Sequence, residues 1–118
     1  TSIKNLERDI YLKLLFNCEV IVGNSSSGIL EAPSYKVPVV NIGNRQRGRP
    51  QASNILNCDN RKESIKKSIS KALNDNKFQI SCKNAKNPYG DGRSSQRICK
   101  ILSQIKIDKN LLDKQIIY

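Results

Sequence analysis

A chain of 118 residues with 21 Lys+Arg against 10 Asp+Glu, a net charge of +11 and no His, Met or Trp has the length of one ordinary domain. Without His, these residues offer no His-based acid–base catalysis and no His metal ligand. The longest apolar runs are a handful of residues, far short of the ~20 that cross a bilayer. The first predicted element is a helix ending at Asn17 in ERDIYLKLLFN (7–17), with Ile10, Tyr11, Leu14 and Leu15 as its apolar stripe. Asn17-Cys18-Glu19 breaks it, and Val20-Ile21-Val22 reads as a short buried strand. Gly23 opens a small polar loop, GNSSSG, that leads into a short helix around 26–35. Val37 to Ile42 (VPVVNI) is the next strand, with Pro38 tolerable near its start. Strand, small-residue loop, helix and strand make a βαβ unit, hence a parallel sheet.

Gly43 to Ser53 is too rich in Gly and Arg to be core and is read as a loop; Asn54 to Cys58 follows as a further strand. Asn60, with Glu63 three residues on, suits a helix N-cap before Ile65, Ile69, Ala72 and Leu73 at helical spacing. Residues 74–87 read as irregular and NPYGDG (87–92) as a turn. A last helix is expected over Arg93–Lys106, with Ile98, Ile101, Leu102 and Ile105 on one face. Beyond it Leu111, Leu112, Ile116 and Ile117 form an apolar tail in need of a partner. The fold class expected is α/β.

Cys18, Cys58, Cys82 and Cys99 lie 40, 24 and 17 residues apart, so no pair has C-x-x-C spacing, and reduced thiols are expected. The chain begins at Thr1 and contains no Met, from which a piece of a longer protein is expected. Residues 61–118 carry 14 basic and five acidic side chains, against seven and five in 1–60. Such a basic half raises the alternative of a nucleic-acid-binding module. The six aromatics are scattered rather than interleaved with the basic residues, unlike a stacking platform.

The loop Gly23–Gly28 lies where open α/β sheets bind ligands, at the carboxyl end of a strand. Its small residues admit an anion to backbone N–H groups, with a helix start behind them. Ile29 stands where a P-loop requires Lys, and Ser27 where a nucleophile elbow requires Gly, so neither of those motifs is present. Anion cradling stands beside a plain strand–helix turn as the reading of this loop. Glu31, about a turn further on, can accept two hydrogen bonds from a vicinal diol or sit as an exposed charge. Arg45, Arg47 and Arg49 follow the second strand on the same sheet edge, where guanidinium forks suit phosphate.

The stretch IVGNSSSGILEAPSYKVPVVNIGNRQRGRPQASNILNC closely resembles the hydrolysing UDP-N-acetylglucosamine 2-epimerases of sialic-acid and related nonulosonic-acid pathways. NPYGDGRSSQRI resembles a second motif near the C-terminus of that family, and the order and separation of the two also fit. The resemblance implies a GT-B fold, two Rossmann-like domains with the active site in the cleft between them. Residues 1–92 would then be part of the C-terminal, UDP-binding domain, and 93–118 would be helices crossing back to an N-terminal domain not present in this chain.

By the same resemblance Ser25, Ser26, Ser27 and Gly28 bind the UDP diphosphate, and Glu31 binds the ribose hydroxyls. Val37–Ile42 forms the cleft floor. Arg45 is the catalytic arginine on the leaving UDP, with Arg49 as a second candidate for UDP contact. Asp91 and Gly92 cap the last helix. The reaction implied is anti elimination of UDP from a UDP-2-acetamido sugar, followed by addition of water to give the 2-epimer. RQ-x-GR (45–49) resembles hydrolysing members more than non-hydrolysing ones. The proton-transfer groups would lie outside these residues, so the chain alone is expected to be inactive. The substrate is UDP-N-acetylglucosamine or a UDP-linked 2,4-diacetamido-6-deoxy sugar. A cytoplasmic homodimer is expected, with no cofactor, no metal and neither nucleic acid nor membrane as a partner. A GT-B glycosyltransferase is the alternative enzyme.

Overall fold

The computed structural model describes residues 2–108. Its centre is a sheet of three parallel strands in the order β1-β2-β3: β1 (Ile21–Gly23), β2 (Val39–Ile42) and β3 (Ile55–Cys58). Val22 stands opposite Val40, and Val40 opposite Leu56. Short β-branched runs suit a strand buried on both faces, and β2 shows this best: Val39, Val40 and Asn41 are all buried. The period of two sends Val39, Ile21 and Ile55 to one core, with Leu15, Ala32 and Val37. It sends Val40, Leu56 and Ile42 to a second core, with Ala72, Phe78 and Cys82. Helices therefore lie on both faces, the arrangement of a Rossmann-like sheet.

On the first face, α1 (Arg8–Asn17) packs on the pair α2 (Ser26–Leu30) and α3 (Ala32–Tyr35). Only one side of α1 is covered, so Tyr11, Leu12 and Leu15 carry its packing while Ile10 and Leu14 stay exposed. The predicted stripe is therefore corrected toward Leu12. The helix expected around 26–35 is broken at Glu31, which closes α2 and opens α3 with Pro33 in its first turn. The turn out of α3 places Lys36 in the left-handed region, φ 62°.

On the second face, α4 (Lys62–Asn74) lies against β2 and β3. Its N-cap is Arg61 rather than the expected Asn60, and no side chain caps the helix there. Asp59 instead accepts from the Arg61 N–H at 3.0 Å, and this local turn starts the helix one residue later. The 74–87 segment expected to be irregular contains α5 (Asn76–Lys83). The Asp75 carboxylate accepts from the Phe78 N–H at 3.0 Å, a side-chain N-cap, and Phe78 and Cys82, four apart, bury one face. The last helix, α6 (Ser94–Gln104), contains no buried residue. The apolar tail at 111–117 lies outside the described residues.

Candidate functional site

Parallel strands place their carboxyl ends on one edge, and the loops after β1 and β2 meet there. Ser25 is the N-cap of α2, and its Oγ accepts from the Ser27 N–H at 3.3 Å. Gly28 is buried, and a Cβ there would stand 2.9 Å from Val39 Cγ1. Close packing of α2 on β2 requires that glycine, so its place in the site is to bring the helix start down onto the strand end.

Ser27 is committed inward. Its Oγ donates to Glu31 Oε2 at 2.6 Å, so the hydroxyl of Tyr11, also bonded to Ser27 Oγ, is left to donate. The other Glu31 oxygen pairs with Arg8 Nη1 at 2.8 Å. The Ser27 hydrogen bond, opposed by partial burial and helped by Arg8, holds the Glu31 carboxyl below its ordinary range. Glu31 is thus an oriented carboxylate with lone pairs to spare, rather than a freely solvated charge. Of the three serines, Ser26 keeps a hydroxyl with no partner among the described residues.

The loop after β2 turns on Gly43 and Gly48, both at positive φ (76° and 80°), where glycine is the default residue. Hydrogen bonds from Arg47 N–H to Asn44 O at 2.9 Å and from Arg49 N–H to Gln46 O at 3.3 Å wind the segment tightly. Arg45, Arg47 and Arg49 are exposed on it and make no side-chain hydrogen bond or ion pair to the described residues. Gln46 alternates inward: it is 2 % exposed, and its Nε2 donates to the Asn24 carbonyl at 2.8 Å. That bond joins the arginine loop to the serine loop. Gln46 Oε1 is buried without a partner, a cost of ~1–3 kcal/mol for such a group.

Beside these loops a cleft of ≈ 270 Å³ is lined by Asn41, Arg47, Gln51 and Asn57, among others. Three carboxamides order its wall: Asn41 Nδ2 donates to Asn57 Oδ1 at 2.7 Å, and Asn57 Nδ2 to Gln51 Oε1 at 2.7 Å. The structure brings Ser25, Ser26, Ser27, Gly28 and Glu31 together, and ties the loop of Arg45 and Arg49 to them through Gln46. Sequence reading missed Arg8, Tyr11, Gln46 and the amide wall. Alternation within R-Q-R-G-R was the available signal for Gln46; Arg8 and Tyr11 had none, because only packing brings α1 to α2.

The second motif backs the site instead of entering it. Asn87 Nδ2 donates to Leu30 O at 2.8 Å and to Ser34 Oγ at 2.7 Å, gripping the chain on both sides of Glu31. Asp91 accepts from the Arg93 N–H at 3.1 Å and from both Arg97 guanidinium nitrogens, at 2.9 and 2.6 Å. The Arg97 pair holds its carboxyl down to about 2. The expected capping of the last helix by Asp91 and Gly92 is corrected: its N-cap is Arg93, with no side-chain cap hydrogen bond. Asp91 instead ties down the first turn through Arg97, and Gly92 supplies a positive φ of 80°. Among the described residues no group of three His, Cys, Asp or Glu is placed to hold a metal, and no helix is long and apolar enough to cross a membrane.

Residues 1–103 match the family model described as UDP-N-acetylglucosamine 2-epimerase. The UDP-N,N'-diacetylbacillosamine 2-epimerase (hydrolyzing) of Legionella pneumophila is 38% identical over 112 residues, 95% of this chain and 28% of that protein. The polysialic acid biosynthesis protein P7 of Escherichia coli is 32% identical over 107 residues, 90% of this chain and 27% of its own length. A crystal structure of UDP-N-acetylglucosamine 2-epimerase superposes with a TM-score of 0.71 at 26% identity, over 85% of this chain and 28% of that one. The chain therefore spans little more than a quarter of the length of the relatives it matches. Its Rossmann-like parallel sheet, of the kind found in GT-B proteins, carries the serine loop and the RQ-x-GR loop on one edge, and the chain belongs to the UDP-N-acetylglucosamine 2-epimerase family.

Proposed function

We propose that this chain is the nucleotide-binding part of a hydrolysing 2-epimerase. The observation that carries the reading is the Gln46–Asn24 link, which sets the arginine loop against the serine loop and its Glu31 on the carboxyl edge of the sheet. In this reading the Asn24–Ser26 segment and the free Ser26 hydroxyl hold the diphosphate. Glu31, already oriented by Ser27 and Arg8, accepts from the ribose hydroxyls. Arg45 approaches the departing phosphate, and Arg49 is the second cation available. The proton leaves C2 of the sugar as the C1–O bond to UDP breaks. Water then supplies hydroxyl to C1 and a proton returns to C2 on the opposite face, giving free 2-epimer and UDP.

Negative charge grows on the diphosphate during elimination, and preorganised N–H groups with a guanidinium stabilise it by several kcal/mol. In this reading the groups that shuttle the C2 proton lie outside these residues, so the isolated chain is inactive and the remaining machinery belongs to the rest of a cytoplasmic, homodimeric protein. Residues 1–92 contribute the UDP site, and 93–118 cross back to the other domain. The sugar is UDP-N-acetylglucosamine or its 2,4-diacetamido-6-deoxy counterpart, in a nonulosonic- or sialic-acid route, a reading supported by the names of the relatives. UDP titrated into the full-length protein tests the site. Glu31→Ala and Arg45→Ala are each expected to weaken binding about tenfold, the scale of one charge-assisted hydrogen bond. Unchanged affinity in both would remove the site assignment.

A further inference from the structure

Gln46 is almost fully buried in a loop whose neighbouring side chains Arg45 and Arg47 face solvent. Its Nε2 donates to the carbonyl of Asn24, the residue immediately before the N-cap of α2. Because the peptide unit is planar, fixing the Asn24 C=O also fixes the direction of the Ser25 N–H at the mouth of the serine loop. The same carboxamide leaves Oε1 buried and unpartnered. An apolar side chain of similar size would avoid that cost but would lose the donor, so the bond to the Asn24 carbonyl is what the amide supplies. Asn54 gives a contrast: it too is buried, with Nδ2 on the Val37 carbonyl at 2.7 Å and an unpartnered Oδ1. Asn54 precedes β3, at the opposite end of the parallel sheet from the site.

Building on the role assigned to Arg45 above, we propose that Gln46 is a positioning residue: it locks the arginine loop onto the serine loop, so that Arg45 and the start of α2 act on the same phosphates. The link couples two loops on adjacent strands, and it acts through the backbone at both ends. Its effect on turnover therefore runs through Arg45 rather than beside it.

A double-mutant cycle in the full-length protein tests this, with UDP release from UDP-N-acetylglucosamine and from UDP-N,N'-diacetylbacillosamine as the readout. Gln46→Met keeps the side-chain length and removes the donor. It is expected to lower kcat about 10- to 100-fold with little change in Tm, because small displacements of a charge-stabilising group cost that much. Gln46→Glu, which sets a carboxylate against the Asn24 carbonyl, is expected to be at least as slow. In an Arg45→Ala background Gln46→Met is expected to add little. Asn54→Leu, the structural control, is expected to lower Tm with kcat preserved and no coupling to Arg45. Wild-type kcat in Gln46→Met, or losses that multiply fully in the double variant, would overturn the proposal while Arg45→Ala still slowed the enzyme. If Arg45→Ala left turnover unchanged, the assignment of Arg45 itself would have failed, and the clamp with it. Should Gln46→Met not fold, the shorter Gln46→Asn enters the same cycle under the same criteria.

Discussion

Glu31 is held from two sides by its own protein, with one oxygen on Ser27 and the other on Arg8. Its lowered pKa has a definite sign for stability. The ionised form is favoured in the folded state, so the contribution is present above the ordinary value of 4.5 and is lost as pH falls through the folded value. Ser27→Ala removes the largest cause and is expected to raise the Glu31 pKa toward its ordinary value, shrinking the part of the stability that is lost on acidification. A carboxyl NMR titration of Glu31 checks this; an unmoved titration would assign the shift elsewhere. Arg8→Ala is expected to do the same to a smaller extent. At Gly28, the 2.9 Å approach of an added Cβ to Val39 predicts that Gly28→Ala costs ~1–3 kcal/mol in chemical denaturation. At this scale the composition of the loops was legible: small residues at 23–28, Glu31 and the arginines after β2. The partners that orient them were not, because Arg8, Tyr11 and Gln46 reach the site through tertiary packing, which leaves no local period.

Among the elements, α5 shows best what local patterning conveys and what it loses. The strands, α1, α4 and α6 were legible because β-branched runs or a 3.6-residue apolar period marked each one. The 74–87 segment mixes Asn, Lys and Ser with Phe78, Ile80 and Cys82, whose spacing of two gives no helical period. Its start signal is Asp75, whose carboxylate caps the Phe78 N–H. Asp75→Ala is accordingly expected to cost ~1 kcal/mol, whereas Asp75→Asn should retain most of the cap. Equal stability of the two variants in denaturant titrations would contradict that. The break between α2 and α3 had a local signal: Pro33 is tolerated in the first turn of a helix and not inside one, so a single helix does not run through 26–35.

At the scale of the whole molecule, one face is unfinished. Ile98, Ile101 and Leu102 of α6 are 55%, 61% and 64% exposed, a contiguous apolar stripe with no cover among the described residues. The chain spans 28% of its Legionella pneumophila relative, and under the proposed function this helix packs on the other domain, which supplies the cover. Ile101→Asp in the full-length protein is then expected to cost about 2–3 kcal/mol, the scale of one buried aliphatic side chain, while Lys100→Asp costs little. Equal, negligible losses would leave α6 exposed in the complete protein as well. Residues 61–118 carry 14 of the 21 basic side chains, whereas the proposed site relies on the small cluster after β2. The central claim is UDP elimination with hydration, and product analysis by NMR in D2O tests it most directly. The full-length protein, incubated with UDP-N-acetylglucosamine and with UDP-N,N'-diacetylbacillosamine, is expected to convert at least one to UDP and a free sugar inverted at C2 and deuterated there. A UDP-linked 2-epimer with no free UDP, or a product that keeps the original C2 configuration and hydrogen, would contradict it.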